Sequence, residues 1–321
     1  MRTMDRAQGT ASTAPSSRRS GLVLAFVAAT ASGIAVYVNG EAISRFSSPT
    51  LYTTGKNLVA GVVLVAVAAA FARFGRQHPT DTTPTPLGRN EVFGLAVVAI
   101  IGGAVPFVLF FEGLARATSS DAAFIHKTLV VWVAALALLF LREKVTVVHV
   151  LAVAALIIAQ VVLADGVGSL RPGPGEAMIL AATLCWSIEL IIVKRLMASI
   201  PTTVVAAWRI AGGAVLLVAW LGVTGRLQAL TELSASQWAW LTLTGTMLSG
   251  FVSVWFAAVA RAQVVDVAAV LVLGAVVTGV IELAAGGAAV PAHVAGWLLI
   301  LVAAGAVIAR QVLDDRQIAL T

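Results

Sequence analysis

Hydrophobic residues run through this chain in long blocks separated by short polar breaks. A membrane-spanning helix needs about 20 mainly apolar residues. By that measure the chain predicts ten spans, at about 21–43, 51–73, 92–114, 119–141, 147–165, 175–194, 202–223, 236–258, 265–285 and 292–310. Only residues 74–91 make a longer connection, and it carries Pro79, Pro84 and Pro86. Residues 1–20 are polar and read as a disordered cytoplasmic tail, with a second tail at 311–321. Ser17-Arg18-Arg19-Ser20 weakly resembles a twin-arginine export signal, but apolar segments continue to the C-terminus, so the first block is expected to be a retained span.

Composition sharpens this picture. The 321 residues are 60% hydrophobic and only 11% charged, against about 25% charged in soluble domains; mean hydropathy is +0.97. No soluble core hides that much apolar surface, and disorder or a coiled coil would need far more charge. The net charge of +6 could suggest a nucleic-acid partner, but the basic residues sit at the ends of apolar segments, so the expected partner is the lipid bilayer and not nucleic acid. With the N-terminus inside, the ten-span topology puts 14 of the 21 Lys and Arg on the inner side, Arg45, Arg116, Arg171 and Arg226 outside, and Lys56, Lys127 and Arg209 within spans. That bias places both termini in the cytoplasm of a multi-pass cell-membrane protein. Trp220, Trp238, Trp240 and Trp297 fall near outer span ends, where indole rings prefer the headgroup layer. The lone Cys185 excludes an intrachain disulfide.

The two halves resemble one another. Ala115-Arg116-Ala117-Thr118-Ser119-Ser120-Asp121 matches Ala260-Arg261-Ala262-Gln263-Val264-Val265-Asp266, each joining the third and fourth spans of its half. Ala28-Ala29-Thr30 matches Ala181-Ala182-Thr183, Pro49-Thr50 with Lys56 parallels Pro201-Thr202 with Arg209, and His149 corresponds to His293. Five spans per half is an odd number, so the second half enters the membrane from the opposite side. The expected fold is all-α, ten transmembrane helices as two inverted five-helix repeats, at 21–165 and 174–310, an architecture suited to alternating access.

These stretches also resemble a family. Asp121-Ala122-Ala123-Phe124-Ile125-His126-Lys127-Thr128-Leu129-Val130-Val131-Trp132, running on to Leu141-Arg142-Glu143-Lys144-Val145-Thr146, is similar to the fourth helix of the EamA-type domain of the drug/metabolite transporter superfamily, with its closing Leu-x-Glu-x-hydrophobic-Thr signature. The resemblance covers about residues 21–310 and implies ten helices, inverted repeats and a central cavity for a small metabolite. The second half departs from it: Gly286-Gly287-Ala288 stands where the signature carboxylate would fall.

Ionised groups near the bilayer centre cost at least about 2.5–3.5 kcal/mol each, so they mark either a wet cavity or a partner. Lys127 lies roughly 13 Å below the outer end of its span, counting ~1.5 Å per residue. It is expected to be a cavity cation or one half of a structural ion pair. Neighbouring His126 could titrate near neutral pH or simply bond a neighbouring helix. Lys56 and Arg209 are equivalent under the repeat and could flank the cavity as paired cations, or snorkel to the interfaces. Glu189 is the best intramembrane acid, a candidate for proton coupling or for a static bridge, with Lys194 nearby. Glu112 and Glu282 are expected at interfaces. Asp121 and Asp266 open their spans and are expected to complement helix dipoles; Glu143 joins Arg142 and Lys144 in an interfacial cluster. Trp132 and Trp186, near mid-depth, could line the cavity or pack helices. Gly102-Gly103 with Pro106 predicts a bend or hinge in the third span, and Gly212-Gly213 a close helix approach.

The chain shows no metal-ligand cluster, no phosphate-binding glycine loop and no Gly-x-Ser-x-Gly elbow, so no metal or cofactor is expected and ATP drive by this chain is not. The expected function is a secondary permease, not an enzyme, moving a small polar metabolite by efflux or exchange, with proton or exchange coupling and room for a homodimer. The alternatives are a lipid-acting membrane enzyme and a non-transporting receptor.

Overall fold

In a computed structural model of the protein, the structure describes residues 15–74, 87–117, 122, 125–143, 145–163, 173–286 and 291–318. Ten helices run through them: α1 (Pro15–Ile43), α2 (Pro49–Phe74), α3 (Arg89–Leu114), α4 (Ile125–Leu141), α5 (Val147–Leu163), α6 (Pro174–Leu196), α7 (Thr202–Val223), α8 (Ala235–Arg261), α9 (Val264–Ala284) and α10 (Pro291–Ile318). Eight are long and apolar enough to cross a membrane, and α4 and α5 are shorter apolar helices. The 17 residues of α4 still reach ~26 Å, close to the ~30 Å of a hydrocarbon core.

Two ends differ from expectation. α1 begins at Pro15 rather than 21, with proline in the first turn, where its missing N–H would have no helical partner anyway. α10 continues past 310 to Ile318. The expectation for residues 1–14, and those for Asp121 and Lys144, fall outside the described residues.

Which helices touch reveals the symmetry. α1 packs on α8 and α9, and α6 packs in the same way on α3 and α4. α2 lies against α8 as α7 lies against α3, while α2 meets α7, α4 meets α9 and α5 meets α10. Exchanging each helix with the one five places along leaves this pattern unchanged, as a two-fold axis between inverted repeats requires. The outer faces carry exposed Phe26, Val62, Phe71, Phe93, Leu139, Val215 and Val302. In water such a belt would be an aggregation surface; in a bilayer it is the lipid contact.

The fourth helix of each repeat is interrupted at matching depth. In α4 the Thr128 N–H bonds back to the Ile125 carbonyl, and in α9 the Val272 N–H bonds to Ala269, three-residue steps inside otherwise α-helical runs. α3 and α7 widen to π-helix over Ala99–Ala104 and Trp208–Gly212, where they cross. The crossing is close enough to admit only glycine: a Cβ on Gly103 would lie 2.0 Å from the Arg209 carbonyl oxygen, and one on Gly213 2.3 Å from that of Gly103. Both obstacles are backbone and cannot swing aside. Gly103→Ala is therefore expected to cost about 1–3 kcal/mol or to prevent folding, read as a loss of monodisperse protein or of melting temperature in detergent. Gly222→Ala, with nothing within 4 Å, should leave both unchanged.

Candidate functional site

The helices form a chamber of about 270 Å³, at the small end of ligand sites. It is lined by Ser32, Val36 and Asn39 of α1, Lys56 of α2, Phe107 of α3, His126 and Lys127 of α4, Trp186 and Glu189 of α6, Arg209 of α7, Thr244, Phe251 and Trp255 of α8 and Leu271 of α9. Both repeats contribute their first four helices, and α5 and α10 contribute nothing to its wall. That division follows from the packing, because α5 and α10 pair with each other away from the axis.

Glu189 and Arg209 face each other across the chamber wall. Arg209 Nε donates to Glu189 Oε1 at 2.8 Å and Nη2 to Oε2 at 3.3 Å, a two-point contact between buried groups. Gly102 makes room for it, since a Cβ there would lie 2.5 Å from the Glu189 carboxyl carbon. The sequence had offered Lys194 as the partner of Glu189. Instead the Lys194 ammonium donates to the carbonyls of Val259 (2.5 Å) and Ala262 (2.8 Å), capping the C-terminal end of α8. The snorkelling alternative for Arg209 fails for the same reason: its guanidinium points inward to an acid.

Lys56 is not at an interface either. It is only 5% exposed, its ammonium donates to Asn39 Oδ1 at 3.2 Å, and it lies 5.0 Å from the Tyr52 ring centre and 5.2 Å from that of Phe111. The Tyr52 hydroxyl donates to the same Asn39 oxygen. Asn39 and Tyr52 were missed by sequence reasoning, although an asparagine inside an apolar span is itself a signal. Lys127 lines the chamber one residue from His126. The His126 ring packs against Trp186 and Phe110, at 5.2 and 5.1 Å between ring centres, and its Nδ1 is buried without a hydrogen-bond partner.

The two tryptophans part company. Trp186 belongs to the chamber. Pro106 has no N–H to return to the Gly102 carbonyl one turn back, and the Trp186 indole N–H donates to that oxygen at 3.1 Å. The ring is held edge-on to Phe107 at 5.5 Å. Trp132 is 38% exposed on the outer surface, its indole N–H turned back to Thr128 Oγ1. It does not line the chamber, because α4 turns that face outward.

On the membrane face where α1 begins, a second polar cluster joins the repeats. The Glu143 carboxylate accepts from the Val264 (2.9 Å) and Val265 (3.2 Å) N–H groups at the start of α9. Arg142, in the left-handed region at φ 53°, turns the chain so that Glu143 reaches them. Burial pushes the Glu143 carboxyl above its ordinary range, and the two N–H donors draw it partly back. Asp266 does stand in the first turn of α9, but the carboxylate that accepts the helix's first N–H groups is that of Glu143, which had been expected only in an interfacial cluster. Asp266 is fully buried, paired with His149 Nε2 at 2.7 Å and accepting from the Gln311 amide. Glu143→Ala should lower stability by about 1–2 kcal/mol, seen as a lower melting temperature, because two backbone donors lose their acceptor. Elsewhere, Glu112 accepts from Thr50 Oγ1 at 2.7 Å and bridges Arg116 at 2.9 Å near the end of α3, and Glu282 is exposed, as expected of interface positions.

Comparison with known proteins decides the class. The profile of the EamA-like transporter family matches residues 19–164 and again residues 173–309. The chain belongs to the EamA-like transporter family. No curated protein matches it in sequence. A crystal structure at 19% identity superposes with a TM-score of 0.71 over 91% of this chain and 98% of its own, which establishes the shared fold. As an EamA-like transporter it is a multi-pass membrane protein, and the two profile matches coincide with the two halves related by the packing symmetry.

Proposed function

We propose that this chain is a secondary permease that moves a small polar organic metabolite across the cytoplasmic membrane by alternating access, in efflux or exchange, with both termini in the cytoplasm. One observation carries the reading: a chamber that holds Lys56, Lys127, Glu189 and Arg209 and is bounded by the first four helices of each inverted repeat. Rocking one repeat against the other would expose such a chamber to each side in turn. The glycine crossing of α3 and α7 offers a pivot, and the interruptions at Thr128 and Val272 lie beside the chamber at Leu129 and Leu271. A proton or a counter-substrate would supply the drive.

The test is counterflow. Purified protein in liposomes preloaded with a mixed metabolite pool should accumulate an external labelled member of that pool transiently, and liposomes without protein should not. Absence of protein-dependent counterflow across carboxylates, amino acids, sugars and amines would refute the permease. Cysteine labelling of the two chain ends in cells should find both on the cytoplasmic side, and ends on opposite faces would overturn the topology.

A further inference from the structure

The chamber wall holds three fixed cations, Lys56, Lys127 and Arg209, against one carboxylate, Glu189. Arg209 and Glu189 satisfy each other in two-point contact, so the imbalance rests on the lysines. Among the described residues neither ammonium meets a carboxylate. Lys56 meets one amide oxygen and two ring faces. Lys127 shares the chamber with His126, whose buried Nδ1 is likewise without a partner.

An ammonium held in a low-dielectric space without a carboxylate is costly unless something negative comes to it. The lining also carries the rings of Trp186, Phe107, Phe251 and Trp255. We propose that the substrate is a small organic anion, its acidic head held between Lys56 and Lys127 and its carbon body laid against Trp186 and Phe107. This rests on the permease reading and adds the charge of what is carried. The anion is bound in the chamber by the lysines while Glu189 stays with Arg209. An inorganic anion lacks a body to lie against these rings, and an amine would meet two like charges.

A charge series on one ring size tests this with the full-length protein in detergent at neutral pH. The probes are phthalate and phenyl phosphate as anions, benzamide as the neutral form and benzylamine as the cation. Calorimetric titration should find an anion bound at least tenfold more tightly than benzamide or benzylamine. Phthalate and phenyl phosphate together separate a carboxylate head from a phosphate head. Lys56→Gln and Lys127→Gln should each weaken anion binding about tenfold and leave benzamide unaffected. If either variant fails to fold, the wild-type series still decides. Benzamide or benzylamine binding as well as the anions, or no binding of any probe at about 10 mM, would overturn the proposal. The bound anion is then tested for counterflow in liposomes. Binding without counterflow upholds the anion site and counts against the permease; counterflow of benzylamine without anion binding does the reverse.

Discussion

Glu189→Gln is expected to abolish transport and to destabilise the protein more than replacing Glu189 and Arg209 together. The single change leaves a guanidinium buried in the chamber wall without its carboxylate, and removing one partner of a buried pair costs about 3–5 kcal/mol. Replacing both, as in Glu189→Gln with Arg209→Met, takes away two desolvated charges at once and is often close to neutral. A cycle of the two single variants and the double variant, followed by thermal unfolding in detergent, should therefore give a strongly non-additive result. Flux measured on the same four proteins separates the roles. If the pair only holds α6 against α7, the double variant regains both stability and transport. If the pair must part and reform as the repeats rock, the double variant regains stability alone. Melting temperatures of both single variants equal to the wild type would show that the contact contributes nothing.

The sequence carried the architecture because the physical constraint on it is severe. Each span must be apolar for about 20 residues, so hydropathy alone located the helices, and two echoes of Ala-Arg-Ala at the same joint revealed the duplication. It also pointed to the charged groups of the chamber, since a charge inside an apolar span has few places to go: Lys56, His126, Lys127, Glu189 and Arg209 all line it, as does Trp186. What failed was pairing and facing. Lys194 is closer to Glu189 along the chain, but five residues on a helix is nearly one and a half turns, which points the two side chains apart. Trp132 and Trp186 sit at similar depth in their spans, and only the rotation of each helix sends one ring outward and the other inward. Asp266 occupies the place of a capping residue, yet a loop from the other repeat supplies the cap and frees Asp266 for the interior. Contacts between segments more than 100 residues apart leave no local trace.

The second large effect is expected from Asp266→Ala, and it concerns which face of the membrane the chamber opens to. His149 Nδ1 accepts the Thr146 backbone N–H at 3.1 Å, and its Nε2 lies 2.7 Å from Asp266 Oδ1. His149 belongs to the first repeat and Asp266 to the second. The same seam holds the Glu143 cap on α9 and the Arg195 guanidinium donating to the Phe140 carbonyl at 2.5 Å. Rocking one repeat against the other to open this face would pull on all three contacts. In the sequence of the second repeat the matching stretch reads Gly286-Gly287-Ala288, with no carboxylate where Glu143 stands in the first. A protein braced in this way on the face where α1 begins should favour the shape closed on that face. Removing Asp266 strips His149 and Gln311 of their acceptor, at about 1–3 kcal/mol for each buried group left unpaired. A bias of ~1.4 kcal/mol already changes a two-state ratio tenfold. In a Cys185→Ser background, Ser32→Cys places a thiol in the chamber wall. Its reaction with an impermeant maleimide applied to that face should be slow, and Asp266→Ala should raise it about tenfold or more. Unchanged labelling, in protein that still melts cooperatively, would mean that this seam only braces the fold and that the preference between faces is set elsewhere.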